Sequence, residues 1–369
     1  MGSEKRSSFV RLIAHELYRS GQSTKTALMA SLGASLPTVL GTVRTLMEQG
    51  VVVQDGLLAS SGGRKPEALA LNGAHAFAIG VDITANHLSL VAVDLRGTLR
   101  WRERLSLPFS TDNTYCTALS EALDAFLQKH DIPSQKVLGA GLSLPGILSS
   151  DGHTLADSHA LRLSDFSLQG IEQALRFPVL AVNDANAAAM AEKRLLPPEG
   201  NLVYLSLSNS VGGAIFMGGT LYEGGHGRSG EFGHMPLIPN GRACYCGKHG
   251  CYDAYGSALL LSAPYQGQLT AFFTALARKE PQAVALWRDY LFHLAVMCNH
   301  LRMAFDCTVM LGGYVGAQLE PWLEEIRAEA AKLNTFEDNA DYLCLCRYQT
   351  EAAATGAALM HIEKYIDTL

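Results

Sequence analysis

The sequence predicts an α/β protein in which a small helical head precedes a larger body made of two similar halves. A chain of 369 residues is too long for one ordinary hydrophobic core, so two or three domains are expected. Apolar residues recur at helical spacing over residues 1–50, whereas from Phe77 they follow the alternation of strands. Strands followed by a helix then occur twice along the body, which indicates a duplicated fold.

Composition and charge limit the class of protein. Hydrophobic residues make up 48% of the chain, and no apolar run reaches the length of a membrane span. Because Met1 to Arg11 lacks the apolar core of a secretion signal, we expect a cytoplasmic protein, where disulfides are rare. Residues 1–72 carry a net charge of +3 within a chain of −6, so a polyanion is a suitable partner for the head alone.

Three helices are expected in the head. The first carries Val10, Ile13 and Leu17 on one face, and Ser23 or Thr24 caps the second. The third begins after Ser35, ends at Gly50, and places one apolar stripe towards the core, formed by Leu36, Val39, Leu40, Val43, Leu46 and Met47. Its other face offers short polar residues to a major groove, which makes these the candidate DNA contacts: Ser35, Thr38, Thr42, Arg44 and Thr45.

A hairpin and a basic arm follow the helices. Asp55-Gly56 between the apolar runs Val51–Val53 and Leu57-Leu58 predicts a tight turn, hence a winged helix-turn-helix; the alternative is a plain helical bundle with a hairpin. The segment Ser60 to Pro66 has flexible glycines and two cations, Arg64 and Lys65, suited to a minor groove. The alternative for this segment is a solvated linker.

The body shows two strand meanders. The first covers residues 76–83, 87–94 and 99–105, and the second covers residues 202–208, 213–217 and 220–222. This repeat suggests a two-lobed, actin-like (ribonuclease-H-like) fold with a ligand cleft between the lobes. We expect a head over residues 1–72, a first lobe over 73–195 and a second lobe over 196–350, with a last helix over 351–369 packing back on the first lobe.

One cluster of residues has the composition of a metal site. His234, Cys244, Cys246 and Cys251 lie within a glycine-rich, polar segment. Three thiolates and one imidazole form a closed tetrahedral site for structural zinc. Ordinary buried cysteines are the alternative, and His249 is a competing ligand.

Asn183-Asp184 follows a short apolar strand. A carboxylate at the end of a strand can act as a general base on a sugar hydroxyl in a cleft. The alternative is that Asp184 caps the alanine-rich helix that begins at Ala185.

These motifs together resemble the ROK family of repressors and sugar kinases. The resemblance rests on the basic arm, on Asn183-Asp184-Ala-Asn, and on the span from Glu231 to Cys251. It implies a zinc-containing, sugar-kinase-like body and sugar contacts at Asn183, Asp184, Glu231, His234 and Asp253, with a backbone approach at Gly146. Two departures are Asp253, where the family usually has Glu, and Ser158–Asp165, where its Asn-Leu segment is not evident.

The loops that resemble the phosphate-binding loops of ROK kinases are altered. The kinases have a pattern like Asp-x-Gly-Gly-Thr where this chain has Asp82 to Asn86, and a pattern like Gly-Thr-Gly-Val-Gly where it has Ser208 to Gly212. Side chains therefore stand where glycines would let the backbone reach phosphates. Gly312-Gly313 still resembles the loop on the adenosine side.

The sequence thus predicts a sugar-responsive transcriptional regulator that binds operator DNA as a homodimer or homotetramer, contains zinc and has no catalytic activity. Sugar is expected to bind between the lobes and release the DNA, which makes repression the expected sign, although the family also includes activators. The alternatives are an ATP-dependent sugar kinase with a fused head, in which Asp184 is the general base, and a repressor controlled by a protein partner.

Overall fold

A computed structural model describes residues 3–57, 67–194, 196 and 199–369, with side chains from Ser8 onward. Contacts divide the chain into two compact units. The first contains Met1–Leu142, Gln169–Leu180 and Ala357–Leu369, and the second contains Ser143–Leu168 and Ala181–Gly356. The division into three domains with boundaries near residues 72, 195 and 350 stays a prediction.

The head has three helices and a pair of strands: α1 (Ser3–Ser20), α2 (Lys25–Leu32), α3 (Leu36–Glu48), β1 (Val52–Leu57) and β2 (Glu67–Leu71). Thr24 caps α2, since its Oγ1 accepts a hydrogen bond from the backbone nitrogen of Ala27 at 3.0 Å. Gly33 ends that helix with a left-handed φ of 60°. The three predicted helices and the cap of the second are therefore confirmed.

The buried face of α3 differs from the predicted one. Val39, Val43 and Leu46 are buried as expected, whereas Leu36, Leu40 and Met47 are 44%, 42% and 37% exposed. Thr42 is only 6% exposed and lies on the buried face. The sequence analysis assigned too many positions to the buried stripe, because α1 and α2 cover only a narrower set of them.

The hairpin predicted at Asp55-Gly56 is wrong. β1 continues through both residues and pairs antiparallel with β2, joining Val52 to Leu71 and Leu57 to Glu67. A register shift between Gln54 and Leu57 accommodates Gly56 at a φ of 85°. The carboxylate of Asp55 is held by side chains outside the strand, so this residue serves as an anchor within the wing.

The body contains, in chain order, β3 (Phe77–Ile83), β4 (His87–Asp94), β5 (Leu99–Ser106), α4 (Asn113–Lys129), β6 (Val137–Leu144), β7 (Ile147–Leu148), β8 (Thr154–Ser158), β9 (Leu163–Ser167), α5 (Gln169–Leu175), β10 (Val179–Asn183), α6 (Asp184–Lys193), β11 (Leu202–Leu207), β12 (Val211–Met217), β13 (Thr220–Leu221), α7 (Asp253–Gly256), α8 (Ala258–Ser262), α9 (Leu269–Ala277), α10 (Pro281–Phe305), β14 (Thr308–Gly312), α11 (Gly313–Gly316), α12 (Leu323–Ala331), β15 (Leu343–Leu345) and α13 (Ala352–Thr368). Single 3₁₀ turns lie at Ser134–Lys136, Phe232–His234, Ala263–Tyr265 and Glu320–Trp322.

Two five-stranded sheets share one strand order, which confirms the predicted duplication. The first sheet runs β5-β4-β3-β6-β10 and the second runs β13-β12-β11-β14-β15. In both, an antiparallel meander leads into strands that follow a helix in the chain; in the second sheet β14 is parallel to β11 and to β15. The small sheet β7-β8-β9 lies outside this repeat and was not predicted.

Side chains on both faces of the central strands of the second sheet, β11 and β14, are buried. Strand β11 is apolar almost throughout, as expected for a strand covered by helices on both sides. The core beneath it centres on α10, with Trp287, Tyr290 and Leu294 all buried. This packing fixes the carboxyl ends of the strands, from which the loops of the candidate site extend.

No single helix among the described residues is long and apolar enough to cross a membrane. Only α2 and α3 pass such a test together, as a pair bent by 117°.

Candidate functional site

A cavity of about 290 Å³ lies within the second unit. This volume is near the lower limit for small-molecule sites, so the cavity suits a small ligand. All its lining residues belong to that unit: Pro145, Gly146, Ile147, Asp157, His159, Ala160, Asn183, Asp184, Ala185, Asn186, Ser206, Ser210, Val211, Gly212, Gly213, Gly227, Arg228, Ser229, Glu231, His234 and Tyr245. Four of the five predicted sugar contacts are therefore brought together.

Asn183 caps α6 and fixes the cavity floor. Its Oδ1 accepts hydrogen bonds from the backbone nitrogens of Ala185 and Asn186, at 2.9 and 3.0 Å. Its Nδ2 donates to the carbonyl of Gly146 at 2.9 Å. Gly146 has a φ of 129°, and a Cβ there would lie 2.4 Å from the carbonyl of Asp157, so only glycine fits.

Asp184 is the first residue of α6 and lines the cavity. The capping role that was the alternative interpretation of Asp184 belongs to Asn183, and Asp184 accepts a hydrogen bond from the backbone nitrogen of Ala185 at 2.9 Å. A carboxylate at a helix N-terminus interacts favourably with the helix dipole.

Gly230 precedes Glu231 and holds it at the cavity, and no larger residue can replace this glycine. Gly230 has a φ of 84°, and a Cβ there would lie 2.2 Å from the carbonyl of Gly213. Burial raises the pKa of Glu231, an effect that His159 opposes and Asp157 reinforces. A hydrogen-bonding ligand would therefore compensate a partly desolvated carboxyl group.

Asp253 does not line the cavity. It is 4% exposed, and its Oδ2 accepts a hydrogen bond from the backbone nitrogen of Val211 at 2.6 Å. Burial raises its pKa to about 6, and that hydrogen bond opposes the rise. Asp253 thus fixes the start of β12, and a direct sugar contact by this residue has no support in the geometry.

Among the lining residues that the sequence analysis did not predict, two carry rings, His159 and Tyr245. His159 lies in the segment Ser158–Asp165, where the resemblance to the family is not evident. Tyr245 stands between Cys244 and Cys246, and a residue enclosed by two candidate metal ligands was a usable signal. The phenol oxygen of Tyr245 lies 3.4 Å from Nε2 of His234.

The four residues of the predicted metal cluster meet. One ligand atom from each of His234, Cys244, Cys246 and Cys251 lies within 4.8 Å of the others. Among the described residues no other such group occurs, and His249 is not part of this one. Nδ1 of His234 is buried with no hydrogen-bond partner, which is the state expected of a nitrogen placed to bind a metal ion.

Side chains fill the two altered loops. In the first, Oγ1 of Thr84 donates to the carbonyl of His87 at 3.1 Å and accepts from its nitrogen. In the second, Oγ of Ser208 accepts from the nitrogen of Tyr314 at 3.3 Å, and a Cβ on Gly313 would lie 2.6 Å from it. The hydroxyls of Thr84 and Ser208 are therefore used within the protein.

On the head, Ser35 and Arg44 are exposed and Thr38 and Thr45 are half-buried. Oγ of Ser35 lies 2.9 Å from Oγ1 of Thr38, so it bonds to that side chain and does not cap the helix. Thr42, which is buried, is separated from this surface. Arg64 and Lys65 lie outside the described residues.

Comparison with known proteins decides the family. The ROK family profile matches residues 78–364, most of the chain. This chain belongs to the ROK family. The match confirms the family resemblance, and it includes the Asn-Asp segment and the cysteine segment.

Relatives within the family include both regulators and kinases. The xylose repressor of Bacillus spizizenii is 29% identical over 257 residues, which cover 68% of this chain and 67% of the repressor. An N-acetylmannosamine kinase of Citrobacter koseri is 32% identical over 292 residues, covering 76% of this chain and 97% of the kinase.

A crystal structure of a ROK-family transcriptional regulator, a homologue of the Escherichia coli Mlc protein, has the same fold. It superimposes with a TM-score of 0.73 at 20% identity, covering 99% of this chain and 97% of the other. The predicted architecture, a winged helix-turn-helix followed by an actin-like body, is confirmed by this likeness together with the two sheets.

Proposed function

We propose that this ROK protein is a sugar-responsive transcriptional repressor of carbohydrate-metabolism genes. The observation that carries the proposal is the combination, in one chain, of a winged helix-turn-helix head and a cavity lined by Asp184, Glu231 and His234. The xylose repressors among its relatives support the regulatory assignment. Such a protein acts in the compartment that contains the DNA.

The DNA-binding surface is the exposed face of α3. Ser35, Thr38 and Arg44 lie there, and the pair that Arg44 forms with Glu48, at 2.8 Å, is exposed and costs little to break. Thr42 is excluded because it is buried. Arg64 and Lys65 supply minor-groove contacts from the arm.

The cavity binds a neutral, unphosphorylated monosaccharide or derivative. Asp184 and Glu231 accept hydrogen bonds from sugar hydroxyls, and Asn183 holds the helix that carries Asp184. Asp157 is a third carboxylate in the lining, against one exposed arginine, Arg228. A phosphate among these carboxylates would be repelled.

The cysteine cluster binds structural zinc. Two sulfur atoms bound to one tetrahedral zinc lie about 3.8 Å apart, which matches the 3.8 Å between Sγ of Cys246 and Sγ of Cys251. With four protein ligands and no open position, zinc supplies rigidity and no catalysis. It would fix His234 and Tyr245, which both line the cavity.

Sugar binding weakens DNA binding by changing the conformation of the whole oligomer. A homodimer or homotetramer presents its heads at one spacing to two half-sites, and sugar binding changes that spacing. Linkage then requires DNA to weaken sugar binding by the same factor.

The kinase alternative is supported by Asp184, by Gly312-Gly313 and by the N-acetylmannosamine kinases among the relatives. Against it, Thr84 and Ser208 use their hydroxyls internally, in loops where a kinase needs open backbone. ADP release that requires sugar and disappears in Asp184→Asn would establish the kinase.

The test is thermal unfolding of the zinc-loaded protein with D-xylose, D-glucose, N-acetylmannosamine, their phosphates and a non-hydrolysable ATP analogue. A ligand at a hundred times its Kd stabilises by about 2.7 kcal/mol, which gives a clear shift. We expect a shift with at least one free sugar and none with the ATP analogue. A shift with the ATP analogue alone would contradict the proposal.

A further inference from the structure

The cavity has uncovered aromatic surface on one side. Tyr245 is 52% exposed where it lines the cavity, and the side chain of His159 is 49% exposed. Other rings of the unit, such as Phe232 and Tyr252, are buried in the core. Exposed ring surface inside a small cavity is surface that a ligand can cover.

Three rings form this side as one cluster. The ring centroids of His159 and His234 are 5.8 Å apart, those of His159 and Tyr245 are 5.8 Å apart, and those of His234 and Tyr245 are 5.5 Å apart. The interplanar angles, 74°, 69° and 67°, are those of edge-to-face packing, which holds the rings in fixed orientations. We call this set the ring wall.

The lining also contains polar groups, beside apolar residues such as Ile147 and Val211. Asp184 and Asn186 at the start of α6, together with Glu231, offer hydrogen-bonding groups. A ligand suited to both parts has hydroxyls around its edge and an apolar face. A pyranose with equatorial substituents has this shape, because its faces carry only axial C–H groups.

We infer that the ring wall selects the effector, with Tyr245 and His159 covering the apolar face of a pyranose whose ring substituents are all equatorial. D-Xylose and D-glucose, as β-pyranoses, satisfy this condition. N-Acetylmannosamine does not, since its axial acetamido group projects from one face and leaves only the other face free of substituents. This inference rests on the proposed function, in which the cavity binds a sugar.

Tyr245 also connects the ring wall to the metal cluster. It lies between two of the cysteines, and its hydroxyl is 3.4 Å from Nε2 of His234. Tyr245→Phe removes that contact and keeps the ring, whereas Tyr245→Ala removes both. The two variants therefore separate ring stacking from positioning of His234.

The experiment measures affinities of the full-length, zinc-loaded protein for D-xylose, D-glucose and N-acetylmannosamine by calorimetry. Variants are Tyr245→Ala, Tyr245→Phe, His159→Ala and the control Tyr222→Ala. Tyr222 is an equally exposed tyrosine of the same unit, 56% exposed, that does not line the cavity. Zinc content is measured for each variant, so that loss of the metal is not mistaken for loss of the ring.

In the wild type, D-xylose or D-glucose should bind at least fivefold more tightly than N-acetylmannosamine. Loss of the ring in Tyr245→Ala, with zinc retained, should weaken binding of the preferred sugar by roughly tenfold and reduce the preference over N-acetylmannosamine. In Tyr245→Phe the affinity should stay within about threefold of the wild-type value. His159→Ala should act in the same direction, and Tyr222→Ala should change nothing.

Equal effects of Tyr245→Ala and Tyr222→Ala, or tighter binding of N-acetylmannosamine by the wild type, would overturn the inference and leave the proposed function standing. If Tyr245→Ala loses zinc, Tyr245→Leu replaces it, because Leu keeps a large apolar side chain at the position without a ring. We then expect the same tenfold loss of affinity for the preferred sugar. Absence of binding by all three sugars in the wild type would overturn both.

Discussion

Asn183 and Asp184 are neighbours with separate roles. Sequence patterns alone left open whether Asp184 caps α6 or faces a ligand, because both uses need a carboxylate after a strand. The structure assigns the cap to Asn183, whose oxygen accepts two backbone hydrogen bonds. Asp184 lines the cavity, as a sugar contact must.

Replacing Asn183 should therefore reduce stability more than replacing Asp184. Asn183→Ala removes the cap of α6 and the hydrogen bond to Gly146, so the free energy of unfolding in urea should fall by about 1–2 kcal/mol. Asp184→Asn should cost less stability and should reduce sugar affinity instead. The reverse order of stabilities would contradict the assignment of the cap.

Glu192 gives the molecule a pH-dependent stability. This residue is fully buried, its Oε1 accepts a hydrogen bond from the nitrogen of Tyr348 at 2.6 Å, and Oε2 has no partner. Burial raises its pKa above the ordinary value, although hydrogen bonds from the backbone of Arg347 and Tyr348 oppose the rise. The folded state thus holds the proton more tightly than the unfolded state.

The contribution of Glu192 is present below its unfolded pKa, near 4.5, and is lost as the pH rises through the raised folded pKa. Glu192→Gln keeps an acceptor for Tyr348 and has no charge to bury. We expect the stability of the wild type to fall, relative to Glu192→Gln, as the pH is raised from 4.5 to 8 in urea unfolding. Parallel pH profiles for the two proteins would contradict a buried, proton-binding Glu192.

At the scale of elements, α3 shows what a hydrophobic pattern can and cannot predict. Its bounds and its role as the third helix followed from Ser35 and Gly50. Which residues of the stripe are buried depends on where α1 and α2 touch it, and this information is absent from α3 itself. Leu36 and Leu40 are consequently exposed, and Thr42 is buried.

Arg44 is the exposed cation of that helix, so Arg44→Ala should weaken DNA binding. Loss of one phosphate contact should reduce the slope of log K against log salt by about 1. Fluorescence anisotropy with a labelled duplex, measured across salt concentrations, checks this. Lys332→Ala is the matched control, because Lys332 is an exposed cation of the body paired with Glu329. An unchanged slope in Arg44→Ala would remove Arg44 from the interface.

The wing is anchored to the first sheet by the turn between β4 and β5. Arg96 donates from Nε to the carbonyl of Leu71 at 2.6 Å and from its guanidinium to Asp55 at 2.7 Å. Asp55 also accepts from Gln22 at 2.8 Å, and these hydrogen bonds lower its pKa. The Asp-Gly pair suggested a turn, but tertiary contacts hold Asp55 inside a strand.

Arg96→Ala should loosen the wing. Loss of the hydrogen bonds to Leu71 and Asp55 should raise amide exchange in β1 and β2 by about fivefold, equivalent to about 1 kcal/mol, as measured by mass spectrometry. Arg176→Ala is the control, since Arg176 pairs with Asp124 in the same unit but not with the wing. Equal protection of the wing in both variants would show that Arg96 is not its anchor.

At the scale of the whole molecule, the duplicated body could be predicted because each half repeats a strand meander with its own apolar pattern. The candidate metal cluster could be predicted because its cysteines are close in sequence. His159 is 75 residues from His234, and only the fold brings their rings together. Likewise, Asp253 does not line the cavity because its carboxylate bonds to the backbone of Val211, a contact that only the fold creates.

The proposed function requires that sugar binding weaken DNA binding through the fold as a whole. The most direct measurement selects duplexes bound by the full-length protein from a random pool and then titrates one of them with and without the sugar that stabilises the protein. We expect saturating sugar to raise the Kd for DNA by about 5- to 150-fold without ATP, and DNA to weaken sugar binding by the same factor. A Kd that stays constant at saturating sugar, accompanied by sugar-dependent ADP release when ATP is added, would contradict the repressor and establish a kinase.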